Sequence, residues 1–114
     1  MVGPGLFVPD EGDLIWLTFT PQAGFEQAGR RPALVLSPRS YNGRSGLCLV
    51  CPVTRSVKGY PFEVALPAVA PVQGVVLADH IRSVDYRARA AESIGPVGRE
   101  VLGAVRDLIR LLVG

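Results

Sequence analysis

Apolar residues along this chain come in two rhythms. Through residues 14–92 they form short runs rich in valine, leucine and isoleucine, separated by polar stretches that carry glycine and proline. That rhythm predicts β-strands joined by turns. Residues 14–19 are apolar on both faces and read as a buried first strand, ended by Thr20-Pro21. The polar segment 22–32 reads as an exposed loop, and residues 33–37 as a second buried strand closed by Pro38. Within residues 39–46, Asn42-Gly43 predicts a turn. Residues 47–53, 62–66 and 74–78 read as the third, fourth and fifth strands, with the proline-rich loop 67–73 before the last of them. Residues 83–86 and 87–92 read as short final strands.

The end of the chain changes period. Val97, Val101, Val105, Leu108, Ile109 and Leu112 share one helical face, while Arg99, Glu100, Arg106, Asp107 and Arg110 take the other. Pro96 suits a first helical turn, and Gly114 follows the last. The pattern predicts a mainly β fold, a small and strongly bent barrel or half-barrel with a C-terminal amphipathic helix. At 114 residues it is a single domain spanning 1–114. A domain this small with so many apolar residues often hides some of them between subunits, so a homodimer is expected.

Composition narrows the class. Hydrophobic residues make up 48% and charged residues 19%, the balance of a folded globule. No window approaches the ~20 apolar residues needed to cross a bilayer. Residues 1–10 carry no basic residue or sustained apolar stretch, which argues against a secretory signal and for the cytoplasm. Cys48 and Cys51 form a C-x-x-C, yet the chain has 1 His and no second cysteine pair, which makes a zinc site a poor reading. Three apart on a strand, the two thiols point to opposite faces and are expected to pack as small hydrophobes.

The net charge of +2 is too small to imply a nucleic-acid partner, but its distribution is uneven. Residues 1–26 hold Asp10, Glu11, Asp13 and Glu26 and no base; residues 27–62 hold Arg30, Arg31, Arg39, Arg44, Arg55 and Lys58 and no acid. Gathered on one face, that middle third would suit a phosphate backbone; a solvated surface is the competing reading.

Candidate chemistry falls in two segments. In the first, Glu26 stands five residues before Arg31, which precedes Pro32 and a buried strand. Metal-independent RNA cleavage needs a base for the 2′-hydroxyl, donors for the phosphorane and an acid for the 5′-oxygen. Glu26 suits the base and Arg31 a bidentate phosphate donor. In the second, Thr54 and Ser56 offer hydroxyls, Arg55 and Lys58 cations, and Tyr60 and Phe62 rings for stacking. The competing reading is a Glu26–Arg31 surface ion pair in an ordinary polar loop. His80, beside Ala78 and Ile81, reads as structural or peripheral, and Trp16 as core.

Together these segments resemble the MazF/PemK/Kid family of toxin endoribonucleases. The resemblance rests on Gly12-Asp13-Leu14-Ile15-Trp16, Glu26-Gln27-Ala28-Gly29-Arg30-Arg31-Pro32, Pro52-Val53-Thr54, Lys58-Gly59-Tyr60-Pro61-Phe62-Glu63-Val64, Gly74-Val75-Val76-Leu77-Ala78-Asp79 and Ala88-Arg89-Ala90, in that order. It implies a dimeric SH3-like β-barrel with a C-terminal helix, cleaving single-stranded RNA at specific sequences without metal or cofactor. It also implies 2′,3′-cyclic phosphate and 5′-hydroxyl products, and a MazE-like antitoxin whose acidic tail occupies the RNA groove. Arg31 and Thr54 match the family's catalytic arginine and threonine, and Glu26 a loop carboxylate implicated in activity. The implied RNA contacts are Gln27, Arg30, Arg55, Ser56, Lys58, Tyr60, Phe62 and Asp79.

The chain departs from the Kid-like branch, which has a His before the loop Glu and an Arg two residues before the Asp; here stand Phe25 and Leu77. Only Asp79 of that set is present, which implies a supporting role for it. Two alternatives share the fold class. A CcdB-like toxin would poison DNA gyrase through a C-terminal helix with an aromatic tail, whereas this chain ends Leu111-Leu112-Val113-Gly114. An RNA-binding barrel without turnover would bind and release with salt but make no product.

Overall fold

The computed structural model describes residues 7–19 and 29–114. The elements run β1 (Asp13–Phe19), β2 (Gly29–Val35), α1 (Arg39–Ser45), β3 (Leu47–Thr54), β4 (Glu63–Ala65), β5 (Val75–Leu77), a single 3-10 turn (Ala78–His80), β6 (Arg82–Asp85), β7 (Glu92–Pro96) and α2 (Arg99–Val113). The pairings are antiparallel, in the order β4-β5-β3-β2-β1-β7, with β6 also on β3. The fold is therefore mainly β with a C-terminal helix, as expected. The sheet is bent but not closed, because β4 and β7 end the path without meeting. Barrel is thus a loose description of it.

Strand β3 explains how one sheet serves two cores. Beside β2, its other edge is shared, by β6 along Leu47–Val50 and by β5 at Val53 and Thr54. Cys48 and Val50 enter one core with Ile15, Leu17, Phe19, Ala33, Val35, Val84 and Tyr86. Cys51 and Val53 enter the other, with Leu14, Leu34, Leu36, Val76 and the α2 residues Val101, Leu102 and Val105. The cysteines thus occupy opposite faces, both buried and unbridged. Desolvation pushes each thiol up to about 12, helped at Cys51 by the negative charge of Asp79.

Helix α2 lays its apolar stripe on the second core, and Arg106 secures it by donating to the Leu36 carbonyl (2.8 Å) and to Glu11 (3.1 Å). The helix begins later than its periodicity suggests. Pro96 is the last residue of β7, opposite Asp13, and Gly98 is still extended at φ −70°, ψ 163°. A proline costs no ladder bond on an edge strand, so β7 accommodates it.

Three further local readings are overturned. Asn42-Gly43 lies inside α1 instead of a turn. The buried Asn42 amide donates to the carbonyls of Pro9 and Ser37 and accepts from the Ser37 hydroxyl, so tertiary bonds outweigh the local turn preference. Residues 86–90 form a turn, not a strand, tied by Asp85 accepting from the Ala88 and Arg89 amides. Finally, β2 starts at Gly29, so Arg30, Arg31 and Pro32 are strand residues and not the end of a loop. Among the described residues no helix is long and apolar enough to cross a membrane.

Candidate functional site

Where β2 and β3 separate, a cleft opens. Their pairing runs from Val35↔Val50 through Leu34↔Cys51 to Ala33↔Pro52 and stops there. Pro32 and Pro52 lack the amide hydrogen that would carry the ladder on. Extending the register two residues puts Arg31 opposite Thr54, on the same face of the parting strands. Both line a cleft of about 870 Å³.

The cleft has three walls. Trp16 from β1 and Arg30, Arg31 and Pro32 from β2 form the first. Val53, Thr54, Arg55 and Ser56, at and beyond the end of β3, form the second. The third is Ala70, Pro71, Val72 and Gln73, from the connection between β4 and β5. Among the described residues its lining holds arginines and no carboxylate, so its field favours an anion.

The two arginines of β2 differ in their commitments. Arg30 donates to the Thr18 hydroxyl (2.9 Å) and to the Ala90 carbonyl (2.8 Å), and pairs with Glu92 at 2.6 Å. It clamps β1 and β2 to the turn before β7, and Glu92 neutralises much of its charge. Arg31 makes no ion pair among the described residues. Its five N–H donors are the ones available to an oxyanion in the cleft.

On the second wall, the Thr54 hydroxyl oxygen accepts from the Ser56 amide at 3.1 Å, which leaves its own hydrogen to donate. Gly74 approaches this residue so closely that a Cβ there would fall 2.3 Å from the Thr54 carbonyl oxygen. Beyond Ser56 the chain folds back on Glu63, whose carboxylate accepts from the Lys58 amide (3.1 Å) and the Gly59 amide (2.9 Å). Gly59 sits at φ 77°, a conformation glycine adopts freely.

Several expected contact residues lie outside this constellation. Lys58 and Tyr60 are exposed and do not line the cleft. Phe62 is half-buried against the α2-side core, where it anchors its loop and presents little ring to a base. Asp79 and His80 face each other at 3.8 Å in the exposed 3-10 turn, away from the lining. Glu26 and Gln27 lie outside the described residues.

Two parts of the lining were not anticipated. Trp16, expected in the core, is half-buried and lies across the ladder from Pro32. Its position two residues before the polar Thr18 on the same face of β1 was the available signal. The third wall gave none, because a proline-rich loop reads the same wherever it packs. Among the described residues, no three His, Cys, Asp or Glu side chains gather closely enough to hold a metal ion.

Known proteins resemble this chain over nearly its whole length. Residues 10–113 match the family described as PemK-like, MazF-like toxin of type II toxin-antitoxin system. The Escherichia coli K12 protein named Endoribonuclease toxin MazF is 50% identical over 108 residues, covering 95% of this chain and 96% of that protein. The crystal structure of MazF from Deinococcus radiodurans superposes with a TM-score of 0.88 at 60% identity, covering 95% of this chain and 98% of that one. A MazE–MazF crystal structure from the same organism matches with a TM-score of 0.88 at 58% identity, with coverage of 95% and 98%. By its sequence and its fold together, this chain belongs to the PemK-like, MazF-like toxins of type II toxin–antitoxin systems.

Proposed function

We propose that this chain is an endoribonuclease toxin that cuts single-stranded RNA at a short sequence motif, without metal, and that a MazE-like antitoxin neutralises it. The observation that carries the reading is the cleft itself. It sets a guanidinium with no described ion-pair partner opposite a threonine hydroxyl, in a lining of cations without described carboxylates. The half-identical Escherichia coli relative named as an endoribonuclease toxin supports the activity, and the MazE–MazF structures support the antitoxin.

In this mechanism the 2′-oxygen attacks the adjacent phosphorus while the bond to the 5′-oxygen breaks. The departing 5′-oxygen takes its proton from solvent, so the products are a 2′,3′-cyclic phosphate and a 5′-hydroxyl. Arg31 holds two phosphate oxygens and stabilises their charge as the phosphorane forms; the Thr54 hydroxyl donates to the same group. Arg55 and Ser56 hold the next phosphate, with Lys58 and Tyr60 along the strand's path. Glu26 takes the 2′-hydroxyl proton, or orients that hydroxyl. Arg30 contributes less to RNA than its charge suggests, because Glu92 already holds it.

The working form is a homodimer in the cytoplasm. Leu47 and Leu49, two apart on β3 and so on one face, stay 36% and 38% exposed on the single chain, which supports a subunit contact there. A gyrase-poisoning function is not carried forward, since the matches go to proteins named MazF, ChpB and PemK endoribonucleases.

The test incubates purified protein with a long single-stranded RNA in EDTA and sequences the new ends. Discrete cuts with cyclic-phosphate and 5′-hydroxyl termini are expected, with the rate falling about 100- to 1,000-fold in Arg31→Ala, the loss typical of one transition-state donor. Intact RNA from folded wild-type protein, or full activity in folded Arg31→Ala, would overturn the assignment.

A further inference from the structure

The lining of the cleft holds two chemically unlike sets of side chains. One is the cations and hydroxyls of Arg30, Arg31, Arg55, Thr54 and Ser56. The other is Trp16, Pro32 and the Ala70–Val72 stretch, with the Gln73 amide as its polar side chain. A nucleotide divides the same way, into an anionic phosphate and a flat base with apolar faces and a polar edge. We infer that Trp16 and the wall formed by residues 70–73 make a base slot, and that Gln73 reads the edge of the base in it, which makes Gln73 a determinant of the cleavage motif. The inference rests on the ribonuclease reading above.

A base-reading residue must stand at a fixed distance from the phosphate site, and this wall does. Gly74, the next residue, is at φ +132° and so close to β3 that a Cβ would lie 2.3 Å from the Thr54 carbonyl oxygen. The backbone directly after Gln73 is therefore pressed onto the residue that carries the candidate hydroxyl. The Gly74 carbonyl accepts from the Leu66 amide at 3.0 Å, and the Pro67 carbonyl from the Ala70 amide at 2.9 Å. Val72 packs against the α2-side core, and the Pro71 ring lies 3.8 Å from where a Cβ on Gly95 would be. Two prolines, a close glycine contact and core packing hold the wall still, which is what lets an exposed loop residue discriminate.

The chemistry suits single-stranded RNA. Unpaired bases expose their Watson–Crick edges, each with neighbouring hydrogen-bonding groups, and a primary amide offers donor and acceptor side by side. Half-buried Trp16 offers an indole face, and stacking on it serves any base. The slot therefore divides the work: Trp16 contributes binding, and Gln73 contributes choice.

Wild-type protein and the variants Gln73→Ala, Gln73→Glu and Trp16→Leu are incubated in EDTA with single-stranded RNA of randomised sequence, and the ends are sequenced. Gln73 is exposed, so its variants keep the fold, which thermal melting verifies. Gln73→Ala should lose about tenfold of discrimination at one position of the motif, the size of one good base contact. Gln73→Glu should change the preferred base at that same position, because it exchanges a donor for an acceptor. Trp16→Leu should raise KM about tenfold and leave the motif alone. If wild type cuts and both Gln73 variants keep its preference at every position, the inference is wrong while the nuclease reading stands. An unaltered KM in Trp16→Leu removes the slot. Intact RNA with wild type removes the nuclease reading and this inference together.

Discussion

Cys48 and Cys51 are neighbours in the chain but not in their surroundings. One lies among Ile15, Leu17 and Tyr86, the other under α2 with Leu34 and Val105, its sulfur 3.7 Å from the Ala78 carbonyl oxygen. Burial pushes both thiols up to about 12, from an ordinary value of 9.0. The sign of the consequence follows from proton binding. Between about pH 9 and 12 the unfolded chain has given up these protons while the folded chain keeps them, so stability falls as pH rises through that window. Below about pH 9 the two states bind alike and the contribution is constant. The comparison is made within one protein, with and without the two thiols. Replacing both cysteines with alanine should lower stability near pH 8 by leaving cavities, and flatten its decline above pH 9, as read by denaturant titration. An equally steep decline in the double variant would show that the thiols do not govern it.

At the scale of elements, a carboxylate shapes the segment that continues from the second wall. Glu63, the first residue of β4, gathers the Lys58 and Gly59 amides, and its own amide donates to the Tyr60 carbonyl at 3.1 Å. These bonds fold the segment beyond Ser56 back on β4, so Glu63 fixes the backbone that carries Lys58. In Glu63→Ala the loop loses its acceptor, at about 1–2 kcal/mol of stability. KM for RNA should rise several-fold while kcat changes less, because Arg31 and Thr54 keep their places. Glu63→Gln retains an oxygen acceptor and should recover most of KM; failure to do so, or an unchanged KM in the alanine variant, would remove this role. The example also shows what was legible in the sequence. Strands with apolar residues on both faces and the helical stripe from Val101 to Leu112 depend on spacing and residue type, which a sequence displays; Arg31 and Thr54 come together as candidates only through the family resemblance. Gln73 depends on which loop packs beside the cleft, which is not written locally; Trp16 offers only the polar Thr18 on its face as a sign, and nothing in residue type tells which amides Glu63 gathers. The α1 segment failed for the same reason: Asn42 chose its conformation by reaching the Pro9 carbonyl, 33 positions away. Pro96 suits a helix start by residue type, while its strand partner Asp13 lies near the other end of the chain.

The whole molecule places its two apolar-faced layers so that some hydrophobic surface stays uncovered. Helix α2 shields only part of the sheet face it lies on, since it packs over Leu34, Cys51 and Val76. On that same face, beyond the shielded part, Leu47 and Leu49 of β3 remain open, and Ile81, just before β6, is exposed as well. Extending the β3–β6 register by two residues, from Leu49↔Ser83, puts Ile81 opposite Cys51 and in line with the two leucines. Three aligned apolar side chains on an ordered sheet suit a second copy of the chain, because a two-fold contact repeats the same patch on both subunits. The C-terminal Leu111, Leu112 and Val113 are exposed as well. The cleft is lined from β1, β2, the far end of β3 and the β4–β5 connection, and neither Leu47 nor Leu49 is in its lining. A charge at position 49 should therefore disturb assembly before it disturbs the lining. Light scattering should find wild type at twice the chain mass and Leu49→Glu at the chain mass, with the melting temperature of wild type alone rising with concentration. A monomeric wild type at micromolar concentration, or a variant that still dimerises, would put the subunit contact elsewhere or remove it.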